Sequence, residues 1–161
     1  MLKKIKPYVL SAAVALAVGG LAALLTRGNM RIYAELAVPP LAPPAVLFPI
    51  VWTVLYVLMG AGYAMVKAEK TEKPVEVKSA SRVYWIQLAV NFLWSIIFFN
   101  LREFLFAFIW LVLLWILILL MIARFAAVSK TAAYLQFPYL LWGHRPHTPC
   151  APLLVMVGLV A

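Results

Sequence analysis

The chain has 161 residues, 66% of them hydrophobic and 12% charged, with fourteen Lys or Arg against five acids and a formal net charge of +9. A mean hydropathy of +1.00 and about half the charge of an ordinary soluble domain exclude the soluble class and predict an integral membrane protein. The positive balance would suggest nucleic acid in a soluble protein. Here the bases cluster between apolar runs, so they predict topology signals and anionic headgroups, with no nucleic-acid partner. The single cysteine, Cys150, excludes an internal disulfide.

In chain order, the pattern predicts one all-α domain over 1–161, a bundle of five transmembrane helices. Lys3, Lys4 and Lys6 precede the first apolar run, 7–25. A basic start before an apolar stretch also fits a signal peptide, but this run exceeds the usual ~7–15 residues, so a retained span is expected. Gly19 and Gly20 are expected as close-packing positions. A long loop follows, carrying Arg27, Arg31, Tyr33 and Glu35 and then Pro39, Pro40, Pro43 and Pro44. Proline fixes its own φ and moves the preceding residue away from helix, so this segment is a stiff strap.

The second span, 46–66, has no charge and at ~1.5 Å per residue is long enough for a ~30 Å hydrocarbon core. Trp52, Tyr56, Met59 or Gly60, and Tyr63 recur at three- and four-residue spacing and share a face. A strap leading into an aromatic face predicts the lip and wall of a pocket. Residues 67–82 read as a solvated linker, 83–100 as the third span and 104–124 as the fourth, with a tight turn between them. A fifth span starts at 131 and loses its pattern after Trp142. Its regular part, 131–142, gives only ~18 Å of helix, and Pro146, Pro149 and Pro152 oppose continuation. Residues 143–161 therefore form an atypical tail.

With five spans, ten bases (Lys3, Lys4, Lys6, Lys67, Lys70, Lys73, Lys78, Arg82, Arg124, Lys130) fall on one side and four (Arg27, Arg31, Arg102, Arg145) on the other. In a bacterial cell membrane this bias puts the N-terminus in the cytoplasm and the proline strap outside.

The third span carries a polar ladder, Gln87, Asn91, Trp94, Ser95 and Phe98, on one helix face. Amides cannot face lipid unpaired, so this face must look into the bundle. It serves either hydrogen bonds between helices or, interleaved with aromatics and opposite a second aromatic face, a small-molecule cavity. Among the six tryptophans, Trp85 is placed as an interfacial anchor, Trp110 and Trp115 as packing or lipid-facing, and Trp52, Trp94 and Trp142 as pocket candidates suited to a flat aromatic ligand. Spans two to four lack Asp, Glu, His and Cys, which excludes hydrolytic acid–base or nucleophilic chemistry and a proton-coupled carboxylate relay there. Leu58, Tyr63 and Lys67 match a weak cholesterol-type pattern. His144, His147 and Cys150 are conceivable zinc or copper ligands, but the intervening prolines give no regular geometry, and no metal is expected.

These residues together resemble the translocator protein / tryptophan-rich sensory protein (TspO/MBR) family, once called peripheral-type benzodiazepine receptors. The pieces that match are Tyr33 with Leu36 and the two Pro-Pro pairs; Phe48-Pro49-Ile50-Val51-Trp52 through Tyr56, with Met59-Gly60 and Tyr63; Gln87-Leu88, Asn91-Phe92, Trp94-Ser95 and Phe98-Phe99; and Leu135-Gln136-Phe137-Pro138-Tyr139 with Trp142. They run through about residues 8–142. The resemblance implies a five-helix, usually homodimeric bundle in the lipid membrane, with a pocket under the first long loop. It implies binding of porphyrins such as protoporphyrin IX, of sterols and of synthetic benzodiazepine-site ligands, with no cofactor required. Carried over by motif, the ligand-binding residues would be Tyr33, Pro39, Pro40, Pro43, Pro44, Phe48, Trp52, Tyr56, Asn91, Trp94, Ser95, Phe98 and Trp142. A membrane receptor or sensor is implied first. The alternatives are a light-dependent protoporphyrin-degrading activity, with Trp52 and Trp142 as the catalytic residues, and a porphyrin or sterol transporter. Two departures stand out: Ile32 replaces a tryptophan common before the loop tyrosine, and the tail after Trp142 departs from the family's fifth helix.

Overall fold

The computed structural model describes residues 2–29, 47–101 and 103–144, with side chains for 5–29, 49–101, 103 and 105–142. The described elements are all helical: α1 (Leu2–Thr26), α2 (Leu47–Ala68), α3 (Pro74–Ile96), α4 (Phe104–Val128), α5 (Lys130–Tyr134) and α6 (Phe137–His144). Among the described residues, four helices are long and apolar enough to cross a membrane. Together with the composition, they make the chain an integral membrane protein with an all-α fold.

The segment read as a solvated linker is largely helix. α2 runs on to Ala68, a short turn closes with Lys73 N–H donating to Glu69 O at 2.9 Å, and α3 already begins at Pro74. Proline suits a first helical position because its missing N–H has no partner there anyway. Glu76, Lys78 and Arg82 then extend α3 beyond the hydrocarbon as a charged turn or two. The turn is fastened to α4: Lys73 Nζ donates to Val128 O at 3.1 Å and Ala127 O at 3.4 Å. A cation on terminal carbonyls meets the negative end of the helix dipole.

α3 ends in a π-helical turn, Ile97–Leu101. The fifth position is broken earlier than the tail. Pro138 lacks an N–H, and its ring would clash with the carbonyl of Tyr134, so α5 stops there. The chain turns at 135–136 and α6 begins at Phe137. Gln136 supports the break, donating from Nε2 to Ala132 O at 3.3 Å and Leu58 O at 3.4 Å.

α1 packs most extensively on α2, and α3 on α4. Small residues allow this: a Cβ on Gly60 would fall on the backbone of Ala12, and one on Gly62 on the side chain of Gln136. Without a hydrophobic drive between helices in lipid, such close approach is what dispersion contacts require. The core runs through Met59, Val66, Leu88, Met121 and Phe125, while Ile109, Ile116 and Leu141 face outward as lipid-contacting surface. At the base-rich end Tyr63 and Tyr84 stack at 4.1 Å, Trp85 meets both edge-on, and Lys67 Nζ lies 5.8 Å from the Tyr63 ring centre.

Candidate functional site

At the opposite, base-poor end, α1, α2 and the end of α3 enclose a cavity of about 210 Å³. Its floor and sides come from Trp52, Thr53 and Tyr56 of α2 and from Trp94, Ser95 and Phe99 of α3 and its π-turn. The remaining wall is a stripe of small residues on α1, including Gly19, Gly20, Ala22, Ala23 and Thr26. Among the described residues, no charged side chain lines it. The described lining offers π-face contact, dispersion and a few hydroxyls.

Each wall has a local cause. Pro49 is tolerated in the first turn of α2, and Thr53 Oγ1 donates back to its carbonyl at 2.8 Å. Trp52 and Tyr56 lie one turn apart, rings 5.7 Å between centres. Behind them, Tyr139 of α6 meets Trp52 edge-on at 6.1 Å. Thr26 Oγ1 donates to Ala22 O at 2.9 Å. Gly19 abuts the Tyr56 ring, where a Cβ would come within 2.7 Å of Cδ2, whereas a Cβ at Gly20 would meet nothing within 4 Å. Of the two glycines expected to pack closely, Gly19 does and Gly20 borders open space.

The structure divides the residues singled out from sequence into three groups. Trp52, Tyr56, Trp94 and Ser95 line the cavity together. Asn91 and Gln87 lie deeper on the same α3 face and are covered by tyrosines: Asn91 Nδ2 donates to Tyr56 Oη at 3.0 Å and Gln87 Nε2 to Tyr139 Oη at 2.7 Å. Asn91 thus holds a cavity wall from behind. One hydroxyl can serve one atom of an amide whichever way the amide is turned; Asn91 Oδ1 and Gln87 Oε1 have no hydrogen-bond partner among the described residues. Phe98 is fully buried and stacks on Trp94 at 5.3 Å, while its neighbour Phe99, one turn beyond Ser95, takes the lining position. Trp142 packs half-buried onto the core from α6 and does not line the cavity.

The third group lies outside the described side chains: Tyr33, Pro39, Pro40, Pro43, Pro44 and Phe48, and also His144, His147 and Cys150. The cholesterol-type pattern finds no support in geometry, because Tyr63 is buried under Tyr84 and Trp85. Of the other tryptophans, Trp85 is partly exposed yet donates to Tyr63 Oη at 3.2 Å, and Trp110 donates to Val90 O at 2.9 Å as a packing residue. The α1 wall was not foreseen. Its only signal was the register of Gly19, Ala22, Ala23 and Thr26, which marks close packing as readily as a cavity. A second, lipid-facing groove between α1 and α3, about 420 Å³, is lined by apolar residues such as Leu21, Trp85 and Leu93.

The model of the TspO/MBR family matches residues 11–144. A tryptophan-rich protein TspO of Chlorobaculum tepidum is 38% identical over 143 residues, 88% of this chain and 90% of that protein. The translocator protein of Bos taurus is 35% identical over 125 residues, covering 77% and 74% of the two chains. The protein CrtK of Rhodobacter capsulatus is 34% identical over 111 residues, 68% of each.

Proposed function

The chain belongs to the TspO/MBR family, and from that membership and the cavity we propose that it is a membrane receptor or sensor for flat, hydrophobic, largely uncharged aromatic ligands, with protoporphyrin IX as the leading candidate and sterols as a second class. The observation that carries this reading is the cavity walled by Trp52, Tyr56, Trp94 and Phe99, whose described lining carries no charge. Aromatic walls with a few polar groups are how small-molecule sites are built, although such sites usually hold about 300–1,000 Å³. A tetrapyrrole would therefore engage this cavity with one edge and extend past it. The base-rich end carries Lys67, Lys70, Lys73, Lys78 and Arg82 together with Arg124 and Lys130; in a bacterial cell membrane that end, and the N-terminus with it, lies in the cytoplasm. The cavity then opens near the outer face.

The test is quenching of tryptophan fluorescence by protoporphyrin IX in detergent, in the dark, for the wild type, Trp52→Phe and Asn91→Ala. Saturable quenching that Asn91→Ala weakens supports a ligand against the Tyr56 wall. Quenching that is linear, or identical in all three proteins, means partitioning into the micelle and refutes the reading. The name translocator protein borne by relatives favours transport as a second reading. Dark, gradient-driven porphyrin flux in liposomes would separate carriage from sensing.

A further inference from the structure

Two asparagines at the base-poor end join the cavity's opposite walls. Asn29 Nδ2 donates to Asn100 Oδ1 at 3.0 Å, and Asn100 Nδ2 donates to Leu25 O at 3.3 Å. Asn29 is itself anchored to the end of α1, its N–H donating to Thr26 O at 2.9 Å. The flanking residues are cavity residues: Thr26 follows Leu25 on α1, and Phe99 precedes Asn100 in the π-turn. π-turns are frequent at functional sites because they re-aim side chains. This one presents Phe99 to the cavity and Asn100 to the end of α1. Both asparagines lie outside the packed core, and Asn100 is exposed. A bond between exposed amides competes with water and is worth little net, so it can open without unfolding anything. The α1 wall it restrains is made of small residues, and a Cβ at Gly20 would meet nothing within 4 Å.

We propose that the Asn29–Asn100–Leu25 clasp is the gate of this cavity: closed, it pins the end of α1 to the π-turn; open, it lets α1 swing away and exchange an aromatic ligand between the two walls. The pair are positioning residues that set exchange rates, with no contact to the ligand required. The proposal rests on the reading that the cavity takes a ligand, so its primary test needs no ligand.

Ser95 lines the cavity and is half-buried. In a Cys150→Ser background, Ser95→Cys supplies the sole thiol, and the rate at which a small methanethiosulfonate converts it to a mixed disulfide, releasing methanesulfinate, reports access. Asn100→Ala removes both side-chain bonds of the clasp and should raise that rate by at least the ~2- to 10-fold that one net hydrogen bond is worth. Asn29→Ala, which spares the Leu25 bond, should raise it less, and the double variant should match Asn100→Ala because both act through one clasp. A cysteine at Lys70 in the far turn should label at the same rate in every background. Stopped-flow quenching by protoporphyrin IX should show association and dissociation both faster, with Kd changed less than about twofold, since a gate alters rates more than affinity.

Unchanged labelling of Ser95→Cys in both variants overturns the gate whatever the porphyrin does, as does an additive double variant. Faster labelling without saturable porphyrin binding leaves the gate standing and removes the ligand reading. A variant that loosens the whole bundle would also speed labelling at Lys70→Cys, and that result too counts against a gate.

Discussion

The same substitution at two glycines tests whether close helix approach or helix propensity governs this bundle. At Gly60 an added Cβ would lie 2.6 Å from Ala12 N and 2.8 Å from Ser11 C, against 3.4–4 Å for ordinary contact. The obstacle is backbone, which cannot rotate away, so α1 must retreat by about 1 Å along its main interface. Overpacking of that kind costs ~1–3 kcal/mol, and a clash against main chain belongs at the upper end. At Gly20 the Cβ meets nothing within 4 Å, so Ala there gains helix propensity of ~1 kcal/mol. That gain is common to both sites and cancels in the comparison. Gly60→Ala should therefore fall below Gly20→Ala by ~3 kcal/mol, or about 6–12 °C at the ~2–4 °C per kcal/mol expected for a chain of this size. Thermal unfolding followed by circular dichroism in one detergent measures the difference. A Gly60→Ala melting point equal to or above that of Gly20→Ala would refute the close packing of α1 on α2, and with it the α1 wall of the cavity.

Further outcomes follow from single contacts. In a double-mutant cycle, Asn91→Ala and Tyr56→Phe should couple by ~0.5–1.5 kcal/mol of stability, one buried hydrogen bond; strict additivity would mean the 3.0 Å bond carries nothing. Lys73→Met should lower stability by ~0.3–1 kcal/mol, the value of a cation at a helix C-terminus, and the loss should shrink in high salt; a salt-independent loss would point to packing instead. Pro138→Ala restores an N–H that can reach Tyr134 O, so hydrogen exchange at 137–140 should slow. Unchanged exchange there would place the cause of the break elsewhere, for example in the Gln136 tether.

Much of this was legible in the chain because membrane burial leaves coarse signals. Uncharged runs marked the long helices, and the 52/56 and 94/95 spacings brought their side chains to one place. What escaped had weaker chemistry. Glycine, alanine and threonine on α1 build a wall through their smallness, which looks the same as a packing seam in sequence. The choice of Phe99 over Phe98 depends on which edge of the α3 face meets the cavity and on the π-turn that follows, and neither leaves a periodic trace. Residues 74–82 looked like linker because they are charged, yet Lys, Glu, Ala and Arg are good helix formers outside the bilayer. Asn91 was identified as polar and inward-facing, but only the fold shows that it works through the Tyr56 hydroxyl.

The most direct measurement is a structure of the protein with protoporphyrin IX bound, obtained by cryo-electron microscopy or crystallography in a lipid environment. Density between Trp52 and Trp94, against Phe99 and the small-residue face of α1, is the expected result. Density confined to the lipid-facing groove of Leu21, Trp85 and Leu93, with the cavity of Trp52 and Trp94 unchanged, would contradict it.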